Sequence, residues 1–326
     1  MSWRNLGDKV RNWGRWGPDD QRGTLNHITP EALRRAAGTV RSGRTVSLSA
    51  PISADGPQGA HGIRRNPVHL MQVDGADSDI AGRLGSWGGR SAAEVGGLFG
   101  AGSLRFNDDY LIMPTQAATQ WDALAHVYYD GELYNGVPAS AVTSLGAVRN
   151  GIDAVADAGG VCARGVLLDV ARHRGVPHLD PNQTIDPAEL DAVAAAQGVT
   201  IGTGDVVVVR TGWWPVFRDG RATPDEWLAQ TPGLSWECAE WLHEHEIAAV
   251  AADNVCVEAM VPVEGEMLVL HMLALRDMGL TLGEIWDLEA IGADCAEDGR
   301  YEFLLCAPAL SITGAVGSPI NPVAMK

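Results

Sequence analysis

Asp122 and His126 stand four residues apart in the stretch Gln-Ala-Ala-Thr-Gln-Trp-Asp-Ala-Leu-Ala-His, 116–126, with Gln116 and Gln120 just upstream. If this segment turns as a helix or a helix start, residues four apart share a face. Four side chains able to coordinate a metal, accept a proton or orient a water would then converge. A carboxylate beside an imidazole also sets the tautomer and moves the ring's pKa toward working pH. The same spacing equally suits an ordinary Asp–His hydrogen bond beneath a polar loop, and it is not a full metalloprotease motif.

Other chemistry-bearing residues lie far along the chain. His271 opens the apolar run Met-Leu-Ala-Leu-Arg-Asp-Met, 272–278, which reads as a helix stopped at Gly279. Glu284 follows. One unbroken helix would separate His271 from Glu284 by about 20 Å, so the break at Gly279 is what lets them meet. Arg64 and Arg65 either face solvent or clamp a substrate carboxylate. Tyr128 and Tyr129 fall near His126 and either line a pocket or simply pack. His243 and His245 are two apart, point to different faces of a helix, and read as surface residues at its end.

The elements that must position these groups follow a mixed pattern. Thr29-Pro30-Glu31 and Asp186-Pro187-Ala188-Glu189 each start a helix, with a capping residue ahead of Pro at the first position. Residues 45–52, 165–170, 247–252 and 301–305 read as strands, and Ser235 to Glu246 as an amphipathic helix. The β-branched run 205–211 reads as a central strand buried on both faces. Gly202-Thr203-Gly204 precedes that strand instead of linking a strand to a helix, so it fails the context of a dinucleotide fingerprint. Strand ends at Asp253-Asn254, with Glu258 shortly after, are where α/β proteins place chemistry. Residues 53–104 are glycine-rich and read as loops and short elements, and 314–322 as a Gly/Pro-rich tail. Residues 1–30, with Trp3, Trp13 and Trp16, read as an irregular arm that packs onto the domain or covers a subunit partner's pocket. Residues 31–326 read as one α/β domain.

Composition narrows the function classes. Apolar residues make up 46% of the 326, as in a globular protein. With 24 basic and 41 acidic residues the net charge is −17, which argues against nucleic acid or an anionic membrane as partner. The five scattered cysteines, 162, 238, 256, 295 and 306, form no Cys-x-x-Cys pair and read as reduced and mostly buried. With no apolar leader and no membrane-length run, the expectation is a soluble cytoplasmic protein.

Together these pieces resemble the cyclase family of metal-dependent hydrolases, which includes bacterial kynurenine formamidase and isatin hydrolase. The resemblance covers most of the chain and points to a longer branch with the tail Gly-Ser-Pro-Ile-Asn-Pro, 317–322. The family motif His-x-Gly-Thr-His-x-Asp-x-x-x-His falls on Gln116, Ala118, Thr119, Gln120, Asp122 and His126. Thr119, Asp122 and His126 match; Gln116 and Gln120 replace two metal-binding histidines, and Ala118 replaces the glycine. The resemblance implies that His271 and Glu284 complete a metal site and that His126 is the general base and acid. It also implies a compact domain with a mixed, β-barrel-like core flanked by helices, assembled as dimers or tetramers.

The departures shape the chemistry expected. Amide oxygens are weaker ligands than imidazoles, so Asp122, His271 and Glu284 remain the strong donors, joined by Gln116 and Gln120. Such an oxygen-rich set favours Mn²⁺ or Mg²⁺ over Zn²⁺, or holds no metal. The leading expectation is hydrolysis of an amide, imide or lactone bond in a small cyclic or aryl substrate, with Trp121, Tyr128, Arg64 and Arg65 shaping the pocket. Two alternatives stay open: a metal-independent dehydratase, isomerase or cyclase working through Asp122 and His126, and a non-catalytic protein that binds a small molecule.

Overall fold

The β-branched run forms the strand Val206–Arg210, buried at every residue, and the main sheet extends to either side of it. The structure is a computed structural model that describes residues 2–60, 62–73, 86–87, 90–91 and 107–326. Much of the glycine-rich stretch 53–104 lies outside these described residues.

The main sheet has nine strands: β1 (Thr45–Ser47), β2 (Gln120–Asp122), β3 (Val161–Asp169), β4 (Val206–Arg210), β5 (Ala249–Ala252), β6 (Thr281–Glu284), β7 (Glu302–Ala307), β8 (Gly317–Pro319) and β9 (Val323–Met325). They lie in the order β1-β9-β7-β3-β4-β5-β6-β2-β8. The four central strands, β3 to β6, run parallel, and the strands beyond them on both sides pair antiparallel. The result is a curled, half-barrel sheet flanked by helices in one mixed α/β domain, as expected.

Alternation along the central strands explains why both faces are covered. Val207 and Val209 join an apolar cluster with the arm residues Trp3, Leu6 and Val10 and with Leu270, Leu273 and Met278. Val206 and Val208 join a second cluster on the other face, with Trp121, Trp286 and Phe303. A strand buried on both faces needs this continuous apolar composition.

Local signals hold at both capped helices. The Thr29 side chain accepts a hydrogen bond from Ala32 N at the start of Pro30–Ala37. Asp186 does the same from Glu189 N for Pro187–Gln197, which ends on Gly198 in the left-handed conformation, φ 67°. The helix expected over 235–246 spans Cys238–Glu244. His243 at its end is half-buried rather than on the surface, and burial lowers its pKa.

Two regions differ from expectation. The arm carries a regular helix, Trp3–Val10, whose Trp3, Leu6 and Val10 are buried. Trp13 Nε1 donates to Arg276 O at 2.7 Å, tying the following turn to the segment after His271. The tail supplies β8 and β9, where composition alone suggested irregular chain. Pro319 is tolerated because β8 is the edge strand beside β2, where a missing donor need not break a ladder. All five cysteines are free, with Cys238, Cys256 and Cys295 buried. Among the described residues no helix is long and apolar enough to cross a membrane.

Candidate active site

The segment around Asp122 is not a helix. Gln120, Trp121 and Asp122 form β2, so the residues that share a face are those two apart. Gln120 and Asp122 point to the site. Trp121 points the other way, into the second apolar cluster, where it is fully buried, stacks edge-on against Trp286, and donates to Ala307 O at 2.8 Å. Trp121 therefore cannot shape a substrate pocket as the sequence suggested. A helical period was read where a strand of three residues and a turn actually run.

Glu284 reaches the same face by register. Glu284 on β6 sits directly opposite Gln120 on β2, and their side chains meet with Gln120 Nε2 2.6 Å from Glu284 Oε2. Gly283 faces Trp121 one position earlier; a Cβ there would lie 2.5 Å from the indole ring. Glycine at 283 thus lets the two strands pair with Trp121 between them.

His271 arrives from a different direction. It ends the short turn Val269–His271 and leads into a π-helix, Met272–Met278, capped by Gly279 with φ 67°. The chain then reverses through Leu280 into β6, bringing Glu284 back to the imidazole. His271 Nε2 lies 3.0 Å from Glu284 Oε1 and 3.9 Å from Asp122 Oδ2. The break at Gly279 does what the sequence required of it. A π-helical turn is uncommon and is frequently found at functional sites.

The trio Asp122, His271 and Glu284 offers one donor atom each within 4.8 Å of one another, and all three are buried. Gln120 Oε1 and Asp122 Oδ2 are also buried and have no hydrogen-bond partner among the described residues. Two orphaned acceptors beside two carboxylates are costly unless a positive group faces them. The donor set and these orphans fit a divalent cation with oxygen-rich coordination.

His126 lies at the edge of the trio, its Nε2 3.8 Å from Asp122 Oδ1. Gln116 packs against the other ring nitrogen, with its amide 3.5 Å from Nδ1, and accepts from Thr115 Oγ1 at 2.9 Å. Gln116 thus contacts His126 and Thr115, while Gln120 sits among the trio. Burial lowers the pKa of His126. Burial pushes Asp122 up to about 6 against the opposing pull of His126. Burial works against a charged His271 too, but hydrogen bonds to Glu258 and Glu284 outweigh it and raise the ring to about 10.

A cavity of about 210 Å³ opens onto His126, His271 and Glu284, with Arg64 on its wall. Arg64 Nη2 is 3.3 Å from His126 Nε2, and Nη1 is 3.4 Å from the Gln116 carbonyl. Arg65 is exposed, and Tyr128 is 49% exposed; neither lines the cavity. Its apolar walls come instead from Ile63, Val127, Leu228, Val255, Met260 and Leu268.

Glu258 is the residue that sequence reasoning noted only as part of a strand-end loop. Its Oε1 is 2.7 Å from His271 Nδ1. The signal was a lone acid within Val-Cys-Val-Glu-Ala-Met-Val, 255–261. An ionisable group in so apolar a run is buried, and a buried charge needs a partner.

The family model for putative cyclases matches residues 46–259. A solved structure described as a novel cyclase is 41% identical, covers 97% of this chain and 100% of its own, and superposes with a TM-score of 0.85. Isatin hydrolase A from Labrenzia aggregata, bound to benzyl benzoate, is 17% identical with a TM-score of 0.58, covering 89% of this chain and 95% of that one. Isatin hydrolase A from Ralstonia solanacearum is 18% identical with the same TM-score, covering 90% and 95%. These two share the fold. No curated protein matches the chain in sequence.

Proposed function

The chain belongs to the cyclase family, and from that premise we propose that it is a hydrolase opening an amide, imide or lactone bond in a small cyclic or aryl substrate. The observation that carries this reading is the convergence of Asp122, His271 and Glu284 beside His126 on one cavity. Those three residues, with the amide of Gln120, would hold a divalent cation, for which the oxygen-rich set favours Mn²⁺ or Mg²⁺ over Zn²⁺. Such a cation, when bound, polarises a carbonyl and lowers the pKa of water.

The chain's own residues do the rest. His126, held neutral by burial, takes a proton from the attacking water and returns it to the departing nitrogen or oxygen. Asp122 faces the imidazolium formed in that step, 3.8 Å from Nε2. Arg64, whose contacts among the described residues are His126 and the Gln116 carbonyl, offers its remaining donors to an anionic group on the substrate or to the carboxylate product. The apolar walls suit a single ring. The cavity's modest volume argues for a small substrate.

One observation favours a second reading. His271 is held between Glu258 and Glu284, and Gln120 hydrogen-bonds Glu284, so much of the cluster is satisfied by its own hydrogen bonds. A metal-independent dehydratase, isomerase or cyclase would use His126 and Asp122 as its acid–base pair. The test supplies the purified protein, with and without Mn²⁺, with a panel of small cyclic amides, imides and lactones. Ring-opened carboxylate formed only with Mn²⁺ supports the first reading. Equal ring opening in chelator keeps the hydrolase and removes the metal, whereas a dehydrated or isomerised product formed in chelator supports the second. No ring opening on any member rejects the hydrolase.

A further inference from the structure

We propose that Glu258 is a positioning residue that fixes the ring of His271 so that only Nε2 is presented to Asp122 and Glu284. The inference rests on the reading that this trio holds a divalent cation.

The geometry commits both oxygens of Glu258 to one short segment. Oε1 accepts from the backbone N–H of His271 at 2.8 Å and lies 2.7 Å from its Nδ1. Oε2 accepts from Leu270 N at 3.0 Å. A carboxylate can only accept, so Nδ1 keeps its proton toward Glu258. A cation between Nε2 and Glu284 would take the place of the proton that Nε2 otherwise shares with Glu284 Oε1, leaving Nε2 as the ring's ligand atom. Anchoring the backbone and the ring of one residue with one carboxylate fixes the ring's rotation as well as its tautomer. Carboxylates that orient metal-binding histidines in this way tune affinity as well as geometry.

The surrounding loop is built to deliver that carboxylate. Glu258 is 3% exposed, where an unpaired charge would be very costly. Val257 before it has φ 59°, a conformation rare for a β-branched residue. Asn254 holds this turn, accepting from Val257 N at 2.7 Å and donating to Pro232 O at 2.6 Å. Gly233 lets its own segment lie against this turn: a Cβ there would lie 2.3 Å from Val257 O and 2.6 Å from the Glu258 carbonyl carbon. Strain of this kind persists where the surroundings over-determine it, and it clusters at functional sites. A residue serving only to cap the segment after Leu268 would need the two backbone contacts and not the third, to the ring.

The test titrates wild type and Glu258→Gln with Co²⁺ alone, following heat and the visible spectrum of the bound ion. The variant is expected to bind Co²⁺ 10–100-fold more weakly, with an altered spectrum. Equal affinity and an unchanged spectrum in the variant overturn the inference alone. A wild type that takes up no Co²⁺ overturns the metal reading and the inference with it. Should Glu258→Gln fail to fold, ¹⁵N-histidine spectra of wild type loaded with ¹¹³Cd²⁺ decide, with His271→Gln assigning the signal. Cadmium coupling at Nε2 with a proton retained on Nδ1 is expected. Coupling at Nδ1, or none at His271, overturns the proposal.

Discussion

Gln120 and Glu284 face each other across two antiparallel strands, and the Gln120 amide nitrogen stands 2.6 Å from the Glu284 carboxylate. The register that makes them neighbours also leaves Gln120 Oε1 buried beside Asp122 and, among the described residues, without a partner. Turning the amide's oxygen toward a cation would meet both needs, since the two ends of an amide differ only in which atom points where.

Gln120→His is the variant that tests this placement. It adds an imidazole nitrogen to an oxygen-rich set, and such nitrogen shifts preference toward Zn²⁺. Competition against a chromophoric chelator should show Zn²⁺ affinity rising at least about tenfold relative to Mn²⁺. An unchanged ratio would place residue 120 outside the ion's reach.

His126→Ala should separate chemistry from folding. The ring is 19% exposed at the cavity's edge, and its removal leaves the trio's own contacts in place. Thermal melting should shift little, while kcat on an active substrate should fall about 10²–10⁴-fold, the usual contribution of a general base. Near-wild-type turnover would remove His126 from the proposed role.

Arg64→Met keeps the stem that packs on the wall and removes the charge. A charge-assisted hydrogen bond is worth roughly 1.5–3 kcal/mol. KM for substrates bearing a carboxylate should therefore rise about tenfold or more, with neutral substrates little changed. A uniform loss across both classes would mean that Arg64 instead supports His126, which its guanidinium touches at 3.3 Å.

What the sequence disclosed about this site depended on the scale of each signal. The capped helices after Thr29 and Asp186 and the central strand at 206–210 were legible because their determinants are local: a cap, a proline, a β-branched run. The meeting of His271 with Glu284 was legible through one residue, since Gly279 alone marks the reversal. Trp121 was misread because a three-residue strand has too few residues to display its period, and a four-residue spacing imitates a helix. The strands in the tail were hidden because they are edge and flanking strands that borrow their pairing from β2, β1 and β7. Glu258 was illegible as a partner of His271, because the two lie thirteen positions apart with a left-handed turn at Leu268 between them.

Asp205, which has no contact with Asp122, His271 or Glu284 among the described residues, makes a prediction about stability against pH. Its carboxylate accepts from Gly202 N at 2.8 Å and from Arg164 Nη1 at 2.9 Å. Burial outweighs the arginine's pull and raises its pKa from 3.8 to about 6. The folded state therefore holds this proton at a pH where the unfolded chain has released it. The resulting stabilisation is full below pH 3.8, declines as pH rises, and is lost above the folded value near 6. Between those limits the slope approaches about 1.4 kcal/mol per pH unit. Asp205→Asn removes the titration while keeping the side chain's shape. Melting curves of both proteins from pH 4 to 7 should show the wild type losing ground to the variant as pH rises. A constant gap between the two would mean that Asp205 stays ionised across that range, with Arg164 rather than burial setting its charge.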